Sequence, residues 1–314
     1  MQNWHPLVEY QREGIAEVIK FGAIMAYVGD KALFQIGGDV LCFGRSLLKP
    51  YQMKVFTKAL DKQLTPEQKA LSLASHNAES HQLDIVHSML EAPNDSFLHT
   101  PASMPLMPNE EITSPSPWNH PCSGKHAGII RGCEINDWPK EDYQSLSHPY
   151  HHAFTQTIQR ILGDDWQAQA VAFDGCGLPT YSHTLSELAQ LFSALVIDRD
   201  KDWIWQSMTQ FPELIGGQGR LDTKIMQACD KKVLAKEGAD GLLGLAIDHA
   251  DYPQGLGIVI KMAHGWDATA TGLVAEAILS QLGFDVPPTP APAGQKAVLD
   301  NALSEVFAMA NNAK

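Results

Sequence analysis

Along the chain the apolar positions change period several times, and each change predicts an element. Residues 23–28 and 32–37 are short apolar runs on either side of Gly29-Asp30, a turn-forming pair. A third run, 40–43, follows Gly37-Gly38, so the three read as an antiparallel meander that delivers Gly44-Arg45-Ser46 to a turn. From Ser46 the period becomes helical, with Leu47, Tyr51, Val55 and Leu60 spaced along one side and Pro50 tolerable only in the first turn. Thr65-Pro66-Glu67-Gln68 combines an N-cap, a proline at the first helical position and a glutamine at the third, which predicts a capped helix running towards Ser75. A second helix is predicted over 79–91. Seven prolines follow (Pro93, Pro101, Pro105, Pro108, Pro115, Pro117 and Pro121), and they predict a long structured loop in place of regular elements. Helices are predicted over 127–135, 148–162, 184–196, 203–211 and 269–282. Short strands are predicted over 168–173, 232–235, 242–247 and 257–262, the last two as a hairpin. Pro287, Pro288, Pro290 and Pro292 form a stiff spacer before an amphipathic helix over 296–310.

Strands at both ends with helices between them predict an α+β fold. One antiparallel sheet is assembled from about 1–60 and 230–285, around a largely helical region over about 61–229. The whole reads as one domain, 1–314, in which 286–314 is the spacer and C-terminal helix.

Composition narrows the function. The 314 residues are 44% hydrophobic and 19% charged, enough to bury a sizeable core. With 23 Lys+Arg against 36 Asp+Glu the formal charge is −13, which argues against nucleic-acid and membrane partners. Glu9, Glu13 and Glu17 interrupt the stretch where a secretory signal needs apolar residues, and no run of 18 apolar residues occurs, so the expected location is cytoplasmic. The five cysteines, Cys42, Cys122, Cys133, Cys176 and Cys229, are an odd number, better suited to core thiols or ligands than to disulfides.

Ser46-Leu47-Leu48-Lys49 is a Ser-x-x-Lys at a strand-to-helix transition, where one helical turn lets the Ser46 hydroxyl and the Lys49 amine meet on one face. A serine hydroxyl becomes a nucleophile when a base takes its proton, and a lysine kept neutral by burial or a neighbouring cation is such a base. The Ser46 backbone N–H is a candidate oxyanion donor. Ser75-His76-Asn77 is a Ser-x-Asn after a helix, and Lys261 ends a predicted strand, with Gly265 close behind. In order, these match the Ser-x-x-Lys, Ser-Asp-Asn and Lys-Thr-Gly set of serine β-lactamases and penicillin-binding proteins, apart from the middle residue of the second motif and the spacing of the third.

A second constellation is Cys122-Ser123-Gly124-Lys125-His126-Ala127-Gly128, paired with Asp174-Gly175-Cys176-Gly177-Leu178-Pro179. Two cysteines at loop junctions suit a soft metal such as zinc, with a nitrogen from Lys125 or His126; two buried cysteines without metal fit the same spacing. Lookalikes fail: Gly38 to Ser46 has Arg45 where a phosphate loop needs lysine, and no Gly-x-Ser-x-Gly or His-Glu-x-x-His occurs. His148, His151 and His152 read as a partly exposed helix face.

The chain resembles the rhizobial-type L-asparaginases of the asparaginase II family, which are similar in fold to serine β-lactamases. The resemblance is carried by Arg45-Ser46-x-x-Lys49-Pro50, Ala74-Ser75-His76, the Cys122–Gly128 heptapeptide, Asp174-Gly175-Cys176-Gly177-x-Pro179 and the strand ending in Lys261. It implies hydrolysis of L-asparagine to L-aspartate and ammonia. It further implies Ser46 as nucleophile with Lys49 as its base, Ser75 and Lys261 as a second Ser-Lys pair, and a zinc held by Cys122, Lys125 and Cys176 that need not be catalytic. Arg45, His126 and Asp174 are then substrate-binding or supporting groups, and the expected assembly is a homodimer. Met262-Ala263-His264-Gly265 departs from the family pattern, which has an acidic residue before that glycine. The same serine chemistry would serve glutamine, a β-lactam or a D-peptide, and a binding protein without turnover is the non-enzyme alternative.

Overall fold

The computed structural model describes residues 3–90 and 98–312, so the end of the helix predicted over 79–91, and Pro93 with it, lies outside the described residues. The described chain divides into two compact units. The first comprises 1–42, 183–197 and 224–314; the second comprises 43–182 and 198–223.

The first unit is built on a seven-stranded sheet with the order β10-β1-β2-β9-β8-β7, and β3 pairs with β2 off this path. Its strands are β1 (His5–Arg12), β2 (Ile15–Val28), β3 (Lys31–Ile36), β7 (Val233–Gly238), β8 (Leu242–Ile247), β9 (Leu256–Met262) and β10 (Lys296–Leu299). The pairings of β2 with β3, and of β8 with β9, are antiparallel, as the flanking turns predict. Strands β7 and β8 are buried along their whole length. The helix Leu185–Ile197 lies on β2, β8 and β9, and it comes so close to β9 that a side chain on Gly257 would strike the backbone of Ala189 and Ser193. The segment after the prolines differs from its predicted form: Lys296–Leu299 pairs with β1 as an edge strand, and the helix runs Asn301–Asn312. Backbone groups of β1 left open at the sheet edge take up this segment, an outcome that helical spacing over 296–310 does not reveal.

The second unit is largely helical. Its helices include Lys49–Lys54, Thr57–Leu60, Pro66–Ser72, Ser80–Ser88, Ser123–Ile135, Pro149–Leu162 and Ile204–Gln210. The helix Pro66–Ser72 starts at the capping box read from Thr65 and Gln68, each side chain bonding the other's backbone N–H. The run 40–43 does not continue the meander: β4 (Leu41–Phe43) belongs to a three-stranded sheet in the order β4-β6-β5, with β5 at Val171–Phe173 and β6 at Pro179–Thr184. Gly37, at φ +75, and Gly38 redirect the chain before it. The histidines on Pro149–Leu162 also depart from an exposed face. His148 caps the helix, and His151 is buried between the Tyr181 hydroxyl and the Tyr143 carbonyl at 3.0 Å each, while His152 is exposed. Among the described residues no helix is long and apolar enough to cross a membrane.

Candidate active site

Nearly all the sequence-predicted site residues lie in the second unit, and local geometry places them. After β4 the chain makes a tight turn at Gly44, whose N–H donates to Tyr181 O at 3.0 Å; a side chain there would run into Leu48. Arg45 then adopts φ +48, a left-handed conformation unusual for arginine, with its N–H on Thr180 Oγ1 at 3.2 Å. Its guanidinium reaches Asp174 Oδ1 through Nη2 at 2.6 Å and Nε at 2.8 Å. Asp174 opens the turn that carries Cys176: Gly177 N–H donates to Asp174 O at 2.8 Å, and Asp174 N–H to Leu178 O at 2.9 Å. A partly buried, charge-assisted pair therefore ties the Ser46 turn to the Cys176 turn.

Ser46 lies in a 3-10 turn, Arg45–Leu48, which leads into Lys49–Lys54 with Pro50 in its first turn. Ser46 is half-buried, and its hydroxyl makes no hydrogen bond with the described residues. Lys49 is buried; its ammonium donates to Ala74 O and to Ser75 Oγ, the latter at 2.8 Å. The structure thus joins the lysine of the first motif to the serine of the second. Ser75 is held by its backbone: its N–H donates to Ile215 O at 2.8 Å, and its carbonyl accepts from Arg220 Nη1 at 2.9 Å.

The helix Ser123–Ile135 begins earlier than its apolar spacing predicts, so Ser123, Lys125 and His126 fall in its first turn and Cys122 caps it. Lys125 Nζ lies 3.3 Å from Cys176 Sγ, and the Cys122 and Cys176 thiols are near enough to shift each other's pKa in opposite directions. The neighbouring Cys176 thiol, with the positive charges of Lys49 and Lys125, outweighs burial and holds the Cys122 thiol well below its ordinary range. The neighbouring Cys122 thiol, together with burial, pushes Cys176 up. Burial alone would lower the Lys125 amine, but the Cys176 and Cys122 sulfurs and Asp174 raise it. Among the described residues no group of three or more His, Cys, Asp or Glu is spaced for a metal. The converging set here is two sulfurs, soft donors when deprotonated, and an amine, a set that fits zinc once Lys125 gives up its proton.

His126 is sealed from solvent. Tyr143 Oη donates to Leu98 O, so His126 Nδ1–H donates to Tyr143 Oη at 2.6 Å, and Nε2 is left as a bare acceptor with no partner among the described residues. Lys261 belongs to the first unit, where it is the last residue but one of β9 and donates to Asp240 O and Met262 O at 2.7 Å each, below the face of Trp4. Burial lowers its pKa, against the opposing pull of Cys42 and Asp240.

Arg220 and Thr180 are missing from the residues predicted from sequence. For Arg220 the available signal is the glycine-rich run Gly216-Gly217-Gln218-Gly219 just before it, which marks a close backbone approach. Gly217 adopts φ +111 with Asn77 and Glu79 against its Cα, so only glycine fits there.

The buried imidazoles of this unit make acid stability a direct readout. Burial lowers His76 from 6.5 to about 3, helped by the Lys49 charge, and lowers His151 to about 4. Between those values and 6.5 the unfolded chain binds the extra protons, so stability falls as pH drops below about 6.5, and the loss is complete below the folded-state values. The unfolding free energy from urea titrations is expected to fall between roughly pH 6.5 and 4.5, by on the order of 2 kcal/mol per histidine, and the urea midpoint falls with it. A midpoint unchanged over that range would show that these rings are not held neutral.

Among solved structures the chain is similar to a probable glutaminase from Bacillus subtilis complexed with 6-diazo-5-oxo-L-norleucine, at TM-score 0.36 and 13% identity over 85% of each chain. No curated protein matches the sequence. A family model described as L-asparaginase II matches residues 8–306, and with that match over nearly its whole length the chain belongs to the L-asparaginase II family of amidohydrolases.

Proposed function

We propose that the protein hydrolyses the side-chain amide of L-asparagine to L-aspartate and ammonia through an acyl-enzyme on Ser46. The observation that carries this reading is the assembly, within one compact unit, of the Ser46 turn, the buried Lys49–Ser75 pair and the cysteine–lysine cluster, with Arg45–Asp174 tying the first to the last. Lys49 and Ser75 are the proton-handling pair. In its neutral form Lys49 takes the Ser46 proton as Oγ bonds to the amide carbon. The C–N bond then breaks, and the proton passes by way of Ser75 to the departing nitrogen, which leaves as ammonia. Water, deprotonated by the same amine, hydrolyses the ester, and the proton returns to Ser46. Lys261, whose pKa burial lowers, is proposed on the resemblance as the second amine of the reaction. His126 Nε2, a buried acceptor, and the Arg45–Asp174 pair suit the orientation of an amino acid with its ammonium and carboxylate.

Cys122, Lys125 and Cys176 would hold a zinc ion, which supplies a fixed positive charge beside the substrate and not the hydrolytic Lewis acid. Metal analysis should find up to one zinc per chain, lost in Cys122→Ser while the protein stays folded. Failure of the wild type to take up zinc from a buffered solution would remove this part of the proposal.

The reaction itself is tested by ammonia release from L-asparagine and L-glutamine side by side at alkaline pH. Selective release from asparagine supports the proposal. Selective release from glutamine overturns the substrate, and release from neither overturns the reaction. One methylene separates the two amides, worth only about 1–3 kcal/mol unless polar groups are left unpaired, so the comparison needs full kcat/KM values for both.

A further inference from the structure

The hydrogen bonds around His76 define its proton positions without ambiguity. Ser123 Oγ lies 2.8 Å from Trp118 O, which can only accept, so the single hydroxyl proton is directed there. His76 Nε2, 2.8 Å from the same Oγ, must then carry a hydrogen and donate it. On the other side of the ring, Ala78 N–H donates to Nδ1 at 3.1 Å. The imidazole is a single neutral tautomer, satisfied at both nitrogens and fully buried.

The ring's position in the chain makes this arrangement consequential. His76 follows Ser75, whose hydroxyl receives the Lys49 ammonium. Ser123 follows Cys122 and opens the helix turn that carries Lys125. A backbone bond from His76 N–H to Pro121 O, at 3.2 Å, runs between the same two segments. The His76–Ser123 hydrogen bond is therefore a side-chain link between the segment of the Ser75–Lys49 pair and that of the Cys122–Lys125–Cys176 cluster.

Building on the hydrolase reading above, we propose that His76 is a positioning residue: through Ser123 it holds the Ser75–Lys49 pair in register with the cysteine–lysine cluster. It touches neither substrate nor reacting atoms, and its contribution is to the geometry of proton transfer. A displacement of about 1 Å between groups that must act together is sufficient to cost on the order of 100-fold in rate.

The test compares wild type with His76→Ala, His76→Gln, Ser123→Ala and the double variant His76→Ala/Ser123→Ala. For each, ammonia release is measured and kcat is expressed per folded molecule, counted from the amplitude of the thermal transition. His76→Ala and Ser123→Ala are each expected to lower kcat by about 10–100-fold with KM within about threefold of wild type. The double variant should be no worse than the poorer single one, because both remove the same link. His76→Gln, whose amide can still donate to Ser123 Oγ, should regain most of the lost kcat. Should His76→Ala fail to fold, Ser123→Ala, which removes one oxygen, carries the test with His76→Gln. A kcat per folded molecule within twofold of wild type in Ser123→Ala, or losses that multiply in the double variant, would overturn the inference while leaving the hydrolase reading intact. A wild type that releases ammonia from neither amide overturns both.

Discussion

Replacing Ser46 by alanine should lower kcat for ammonia release by at least about 10³-fold, some 4 kcal/mol of transition-state stabilisation, while leaving the folded protein nearly unchanged. The two halves of this expectation have separate grounds. Ser46 is the serine presented by the Arg45–Leu48 turn, directly after the arginine that grips Asp174, so the acyl-enzyme has no other serine in that turn to form on. Its hydroxyl makes no hydrogen bond with the described residues and is half-exposed, so its removal leaves no buried donor or acceptor unpaired, and the stability change should stay within about 0.5 kcal/mol. Steady-state ammonia release and a thermal melt on the same preparation check both halves. Near-normal turnover in the variant would eliminate Ser46 as nucleophile; a large drop in melting temperature would show that the hydroxyl has a structural role.

Gly124→Ala should be strongly destabilising, and more so than Gly128→Ala on the same helix. Gly124, Gly128 and Gly132 recur every fourth residue and form one stripe along the helix Ser123–Ile135. Along this stripe the neighbouring elements come close. A methyl on Gly124 would be driven into the Leu71 carbonyl, part of the backbone of the helix Pro66–Ser72. On Gly128 it would meet the Met53 side-chain end at 2.9 Å and Ser72 Cβ at 2.8 Å. The methionine end can swing away and leaves Ser72 Cβ at 2.8 Å, whereas the Leu71 carbonyl lies closer still and moves only with its helix. Overpacking of the backbone kind costs about 3 kcal/mol, and the better helix propensity of alanine returns about 1 kcal/mol, for a net loss near 2 kcal/mol or more. Gly128→Ala should lose less. Urea melts of the two variants decide the matter, and the reverse ranking would refute the packing argument. Because Gly124 stands between Cys122 and Lys125, its substitution should also weaken zinc uptake relative to Gly128→Ala.

Features governed by neighbours in sequence were legible before any coordinates. The capped start of Pro66–Ser72 follows from Thr65, Pro66 and Gln68, and the helix Pro149–Leu162 and the β8–β9 hairpin follow from local periodicity and turn residues. The first helical turn at Ser123 was not legible, because Ser-Gly-Lys-His has no apolar repeat; it becomes helical where close packing against Pro66–Ser72 selects its glycine. His151 was misread as belonging to an exposed face because its burial depends on Tyr143 and Tyr181, which are distant in the chain.

The sequence by itself determined which chemistry is present: a serine one helical turn from a lysine, a Ser-His-Asn after a capped helix, and two cysteines in glycine-rich turns. The tertiary structure alone decided who meets whom. It gave Lys49 to Ser75 across 26 positions, Arg45 to Asp174 across 129, and His76 to Ser123 across 47, and it added Arg220, which the motif search did not name. The physical reason is one of range. Helical period, capping and turn propensity are decided within a few residues, whereas the partner of a buried amine or imidazole is set by which segments the hydrophobic core brings together, and its own sequence neighbourhood carries no record of that choice.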